Sequence, residues 1–251
     1  MLGFSPKLPI SEEERLWVDE GFTRLEKMLS RSRLLEAKVV LPNDEYFPDS
    51  YDRSEAAADT VCRRVCDYMQ VDRGRFKLEI FPDETEELRE TTLWTISTGR
   101  QAAGIYFGHE STIEEDGTVV IALRSTLLKD PLVLVATVAH ELGHLILLGD
   151  GHIDRSTPDH EPITDLLTVF LGLGIFSANS AARFKQYDHG GGWHSWSMQR
   201  LGYLSQGVYG YALAKFAAER GEIKPVWTQH LSTNVRAYFK RSSAWLAKKQ
   251  G

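Results

Sequence analysis

Polar and apolar positions alternate along this chain with two different periods, and the change from one to the other divides it. Ser11-Glu12-Glu13-Glu14 has the form of a capping box, and Leu16, Trp17 or Phe22, Leu25 and Leu29 follow at roughly helical spacing. This predicts a helix over 12–31. Val39 to Leu41 reads as a short strand, and Pro42 to Asp52, rich in Asp, Pro and Tyr, as a loop. A second long helix is expected from Ser54 to Met69. From Phe76 the runs become short and β-rich: 76–81, 93–96, 103–107 and 118–123, with Asp116-Gly117 as a hairpin signal. Helical periodicity then returns over 131–148, 158–176, 195–220 and 228–248.

This order, helices, then a small sheet, then helices again, predicts an α+β fold with a mostly antiparallel sheet. Neither an internal repeat nor a linker interrupts it. The natural division is a helical N-terminal extension over 1–70 and a main domain over 71–251, which a continuous single domain would also accommodate.

Composition narrows the function. With 251 residues, 42% hydrophobic and 25% charged, the chain has the make-up of a soluble globular protein. There are 29 basic and 35 acidic residues, a net charge of −6, so no global positive field exists to hold a polyphosphate backbone, and nucleic acid is not expected as a partner. The two cysteines, Cys62 and Cys66, are spaced for one helix face and read as packed thiols, which suits a reducing compartment. Met1 to Ile10 lacks the basic and apolar blocks of a signal peptide, and the longest apolar runs, 131–139 and 166–176, fall short of the ~20 residues a bilayer requires. A cytoplasmic protein with no membrane association is the expectation.

Of the 8 histidines, six lie between 140 and 194: His140, His144, His152, His160, His189 and His194. Two of them belong to His140-Glu141-Leu142-Gly143-His144, an H-E-x-x-H pattern inside an otherwise apolar helical stretch. A helix sets the two imidazoles one turn apart on one face, where both can reach one Zn²⁺ ion. Glu141, the next residue round the helix, is then placed to act as general base towards a water held by the ion. The plainer alternative is a pair of hydrogen-bonded core histidines with Glu141 paired to an arginine. Against it stands the cost of burying three polar side chains together among Leu, Val, Ile and Ala without compensation.

A catalytic zinc needs a third protein ligand and an open position. Glu161 and Asp165 follow in a segment where Thr157-Pro158 resembles an N-cap with proline at the first helical position, so the two carboxylates should share a face. Glu161 is the natural third ligand, and Asp165 the acceptor that orients a ligand histidine. Acidic residues also favour helix N-termini for dipole reasons alone. These residues together resemble the gluzincin-type zinc metallopeptidases, with H-E-x-x-H on one helix and Glu, within E-x-x-x-D, on the next. The resemblance covers about 118–176 and implies a zincin-like fold: an edge strand Val119 to Ala122 that pairs with an extended peptide or protein substrate, an active-site helix and a glutamate helix, flanked here by additional N- and C-terminal helices. The interval between His144 and Glu161 is shorter than in thermolysin-like enzymes, and His152, Asp154 and His160 are alternative third ligands.

Asp188 to Ser195 contains Gly190, Gly191 and Gly192 between His189 and Trp193-His194. Such a loop either connects elements flexibly or lies over the metal, where His189 or His194 would stabilise an oxyanion. Beyond it, Leu201, Leu204, Val208, Tyr211 and Phe216 form a core stripe, Tyr203 and Tyr209 read as core or surface tyrosines, and the basic segment 236–249 reads as a solvated helix face. The leading expectation is a zinc-dependent peptidase with one ion. A non-catalytic zinc-containing binding or regulatory module, or a protein holding no metal, is the alternative.

Overall fold

Ser11 closes the capping box its sequence announces: its hydroxyl accepts from the Glu14 amide at 3.1 Å, and the Glu14 carboxylate accepts from the Ser11 amide at 2.7 Å. In the computed structural model, which describes residues 7–81, 109–113, 119–187 and 204–250, this cap starts helix α1 (Glu12–Leu29). The helix stops at Ser30, whose φ of 79° breaks it, and a short α2 (Arg31–Glu36) follows. Its buried stripe is Val18, Phe22 and Leu25, at i, i+4 and i+7, which leaves Leu16 outside the core and exposed. Helix α3 (Glu55–Met69) is capped by Ser54 and buries both Cys62 and Cys66 as free thiols, the packing their spacing suggested. No strand forms at 39–41. Instead, buried Val40 donates its amide to Gly172 O at 3.0 Å, tying this segment to a distant part of the chain.

The sheet differs from expectation. Strands β1 (Phe76–Phe81), β2 (His109–Ile113) and β3 (Val119–Arg124) lie in the order β1-β3-β2, with β1 parallel to β3 and β2 antiparallel to it. It is therefore mixed rather than mostly antiparallel. β1 and β3 are far enough apart in the chain to run the same way, whereas β2 and β3 are close in sequence and pair antiparallel. The hairpin turn expected at Asp116-Gly117, and the expected strands at 93–96 and 103–107, lie outside the described residues. A second correction concerns the strand before the histidine helix. β3 is central, flanked on both sides, so its hydrogen-bonding rows are occupied and it is not the edge the zincin resemblance implied.

β3 passes through a 3₁₀ turn into helix α4 (Pro131–His144), where the Asp130 carboxylate caps the Leu132 and Val133 amides at 3.1 and 3.3 Å and Pro131 takes the first position. A π-helical turn, Leu145–Gly149, extends it. Counted together, Pro131–Gly149 is long and apolar enough to cross a bilayer, longer than the uninterrupted apolar run suggests, but 78% of that stretch is buried inside the protein. It is a core helix.

Helix α5 (His160–Phe170) begins later than Thr157-Pro158 predicts, with Asp159 at the cap position. The Asp159 carboxylate is not turned onto the helix. It accepts from Trp17 Nε1 at 2.9 Å and from Arg24 at 2.6 Å, so α1 clamps the start of α5. The helix ends at Phe170, and α6 (Gly174–Tyr187) follows after a break where one continuous helix was expected. Helices α7 (Gln206–Glu219) and α8 (Thr233–Gln250) complete the described chain. One apolar cluster unites these elements, with Phe22 from α1, Cys62 from α3, Leu142 from α4, Phe170 from α5, Phe176 from α6 and Phe216 from α7. The stripe expected on α7 is present in Val208, Tyr211 and Phe216, preceded by buried Leu204, and Tyr209 joins the core; Leu201 lies outside the described residues.

Candidate metal centre

The ionisable residues of α4, His140, Glu141 and His144, sit in its last two turns. His140 is 3% and Glu141 2% exposed, among neighbours that are otherwise apolar. Helical spacing puts His140 and His144 side by side, ring centroids 4.6 Å apart and planes at 90°. What brings the third group to them is a close helix crossing. A Cβ on Gly143 would lie 2.8 Å from Thr164 Cγ2, so only glycine lets α5 approach this near without displacement. One turn before Thr164, Glu161 then reaches both imidazoles: its Oε2 lies 3.0 Å from His140 Nε2 and 3.3 Å from His144 Nε2.

The ligand atoms of His140, His144 and Glu161 all lie within 4.8 Å of one another. A tetrahedral ion bound ~2.0 Å from each donor holds its donors roughly 3.3 Å apart, close to the two separations just given. Two nitrogens and one carboxylate oxygen therefore form a set that fits a divalent ion.

Asp165, also buried, uses both oxygens. Oδ1 accepts from His140 Nδ1 at 2.9 Å, and Oδ2 accepts from the Leu204 amide at 2.9 Å, joining the start of α7 to the centre. This leaves His140 Nε2 facing the ligand set. Burial opposes a charged His140, but its hydrogen bonds to Asp165 and Glu161 outweigh burial and raise its pKa well above the usual 6.5. For Glu161 burial pushes upward, and the hydrogen bonds to His140 and His144 prevail and hold the carboxyl far below its usual range. A cation is thus favoured at this point, whether a proton or a metal.

The other candidates separate clearly. His160 is the first residue of α5; its Nδ1 donates to Thr157 O at 3.0 Å and its Nε2 lies 3.2 Å from Glu161 Oε1, beside the three-ligand set but not within it. His152 is exposed, and exposed Asp154 turns its carboxylate to the Ser156 amide at 2.7 Å. His189, His194, the glycines between them and Tyr203 lie outside the described residues. Sequence reasoning missed Thr164, the close approach at Gly143, and the clamp on Asp159. Gly143 alone carried a signal, as a glycine inside a helix. Comparison with protein families, curated proteins and solved structures finds no match.

Proposed function

We propose that the protein is a zinc-dependent peptidase. The observation that carries this reading is the convergence of His140, His144 and Glu161 from two helices, with Asp165 orienting His140 and a buried carboxylate, Glu141, between the two histidines in sequence. Two imidazoles and one carboxylate suit zinc, and a set of three donors among the described residues matches the ligand count of a catalytic site with one open position. When bound, the ion supplies Lewis acidity, acidifying water and polarising the substrate carbonyl.

The chain's own residues do the rest. His140, His144 and Glu161 hold the ion, and Asp165 keeps the His140 Nδ1 proton away from it. Glu141 takes the proton of the attacking water and returns it to the departing amine, the general acid–base role that its place in H-E-x-x-H assigns. Because β3 is central, an extended peptide pairs with an outer strand of the sheet rather than with β3.

The rival reading is a closed metal-binding module with a fourth protein ligand, and His160 beside Glu161 is the side chain that favours it. Glu141→Gln separates the two. Hydrolysis of a peptide library should fall roughly 10³-fold while elemental analysis still finds one zinc per chain. Wild-type protein that carries one zinc and cleaves nothing overturns the peptidase reading, as does a Glu141→Gln variant as active as wild type.

A further inference from the structure

A histidine binds metal through one nitrogen only if its proton resides on the other, and a hydrogen-bond acceptor opposite the second nitrogen fixes this. Asp165 performs that task for His140. For His144 the group opposite Nδ1 is the hydroxyl of Thr164, at 3.3 Å. Thr164 is fully buried, and its Oγ1 also donates to the His160 carbonyl at 2.7 Å.

Proton bookkeeping gives the direction of the longer contact. A hydroxyl has one hydrogen. A carbonyl can only accept, so the Thr164 hydrogen is committed to His160 O, and Oγ1 presents a lone pair to His144. Nδ1 of His144 must then carry the N–H, so that when the ring gives up its other proton, as it must to bind a metal, the lone pair is on Nε2, 3.3 Å from Glu161 Oε2. The threonine cannot easily turn aside. Its hydroxyl bonds back to the carbonyl four residues earlier, a habit of helical threonine, and its Cγ2 lies over the bare Cα of Gly143.

We infer that Thr164 is the positioning residue of His144, fixing the Nδ1–H tautomer through a hydroxyl whose own hydrogen is tied to the His160 carbonyl. A single turn of α5 then governs the whole set: Glu161 as ligand, Thr164 behind one histidine and Asp165 behind the other. This rests on the metal-centre reading above, in which α5 supplies the third ligand. The plainer account is that Thr164 satisfies itself on His160 O and meets His144 incidentally, which makes the hydroxyl irrelevant to metal.

The test uses the full chain as wild type, Thr164→Val, which keeps the shape and removes the oxygen, and Thr164→Ser, which keeps the oxygen. Zinc affinity is measured by competition with a chromophoric chelator, and nitrogen NMR of the zinc-loaded proteins reads which His144 nitrogen bears hydrogen. Wild type should show His144 protonated at Nδ1 and bound through Nε2. Thr164→Val should weaken zinc about tenfold, the lower end of effects from such supporting groups, and Thr164→Ser should restore most of the loss. Bound His144 without hydrogen at Nδ1 in wild type overturns the inference whatever the variants do, as does a Val variant that binds zinc as tightly as wild type with the same tautomer. Wild type that takes up no zinc removes the metal-centre reading itself, a separate outcome.

Discussion

Two helix crossings in this protein use the same packing device and carry different cargo. At the crossing of α4 and α5, Gly143 lies against Thr164; at that of α7 and α8, a Cβ on Gly210 would collide with Tyr238 Cβ and lie 3.0 Å from the Phe239 amide nitrogen. Around Gly143 the buried positions include His140, Glu141, Thr164 and Asp165, and contacts run from Thr164 through His144, Glu161 and His140 to Asp165. Around Gly210 they are mostly apolar or aromatic, including Val208, Tyr209, Tyr211, Leu213, Val235 and Phe239, and the buried Ser242 hydroxyl on α8 finds no partner among the described residues. Close approach by itself therefore does not make a site. A site arises where buried polar groups satisfy one another and still leave lone pairs aimed at a common point, which at the first crossing are the His140, His144 and Glu161 donors.

The largest effect should come from removing the group that links the most partners. Asp165→Ala strips acceptors from His140 Nδ1 and from the Leu204 amide, leaving two buried donors unmet. A stability loss of about 3 kcal/mol is expected from such orphaned groups, together with a 10- to 100-fold fall in zinc affinity. Urea denaturation of the metal-free protein and chelator competition read the two separately. If stability falls and zinc affinity does not, Asp165 serves packing alone and the first crossing resembles the second.

A matched pair of alanines tests the crossings directly. Gly210→Ala meets backbone and a Cβ, neither of which can move aside, and should cost about 2 kcal/mol by overpacking without touching zinc affinity. Gly143→Ala meets a side-chain methyl, so its stability cost should be smaller, but the shift it forces on α5 carries Glu161 away from the histidines. Weaker zinc binding in the Gly143 variant alone is the expected result. Equal zinc binding in both variants shows that the centre tolerates displacement of α5.

Acidity should divide the metal-free from the loaded protein. The pKa of His140 is raised above 6.5, so its contribution is fully present below that value and is lost as pH rises through the raised pKa. Glu161 is depressed below 4.5, so its contribution is present above 4.5 and is lost as pH falls through the depressed value. Metal-free protein should therefore be most stable between these limits and weaken towards alkaline pH, by at most about 1.4 kcal/mol per pH unit for each proton involved. With zinc the alkaline side reverses, because the metal displaces those protons and binds more tightly as they leave. Melting curves across pH, with and without a chelator, check both signs.

The part of this centre that repeats with helical period was legible in the chain. His140 and His144, and separately Glu161 and Asp165, are one turn apart, and local geometry alone places each pair on a common face. The joining of the two pairs was inferred only from zinc's need for a third ligand and from the resemblance, not from local geometry, because it depends on how α4 and α5 cross. Thr164 was invisible for the same reason: a threonine amid Ile163, Leu166 and Leu167 looks like any helical position until Gly143 lies beneath it. The sheet failed where pairing is non-local. Alternation identified β1 and β3 to within a residue, but nothing in either strand says that they run parallel or that β3 is central. Helix ends were misjudged where distant groups intervene, as at Asp159, whose carboxylate is held by Trp17 and Arg24 instead of capping α5.

The smallest effect separates a polar group that matters from one that does not. Ser242 and Thr164 are both fully buried helical hydroxyls, but Thr164 has two contacts and Ser242 has none among the described residues. Ser242→Ala removes a hydroxyl that lost its water on folding and gained nothing in return, and it replaces serine with a better helix former. A stabilisation of about 0.5–1 kcal/mol is expected, read as a shift in urea midpoint with an unchanged slope and with zinc affinity unaltered. Destabilisation instead would mean that the Ser242 hydroxyl does find a partner in the folded protein. The second crossing would then contain a buried polar link besides its exposed Asn234–Gln206 contact, and only the convergence of lone pairs, not the satisfaction of buried groups, would distinguish it from the first.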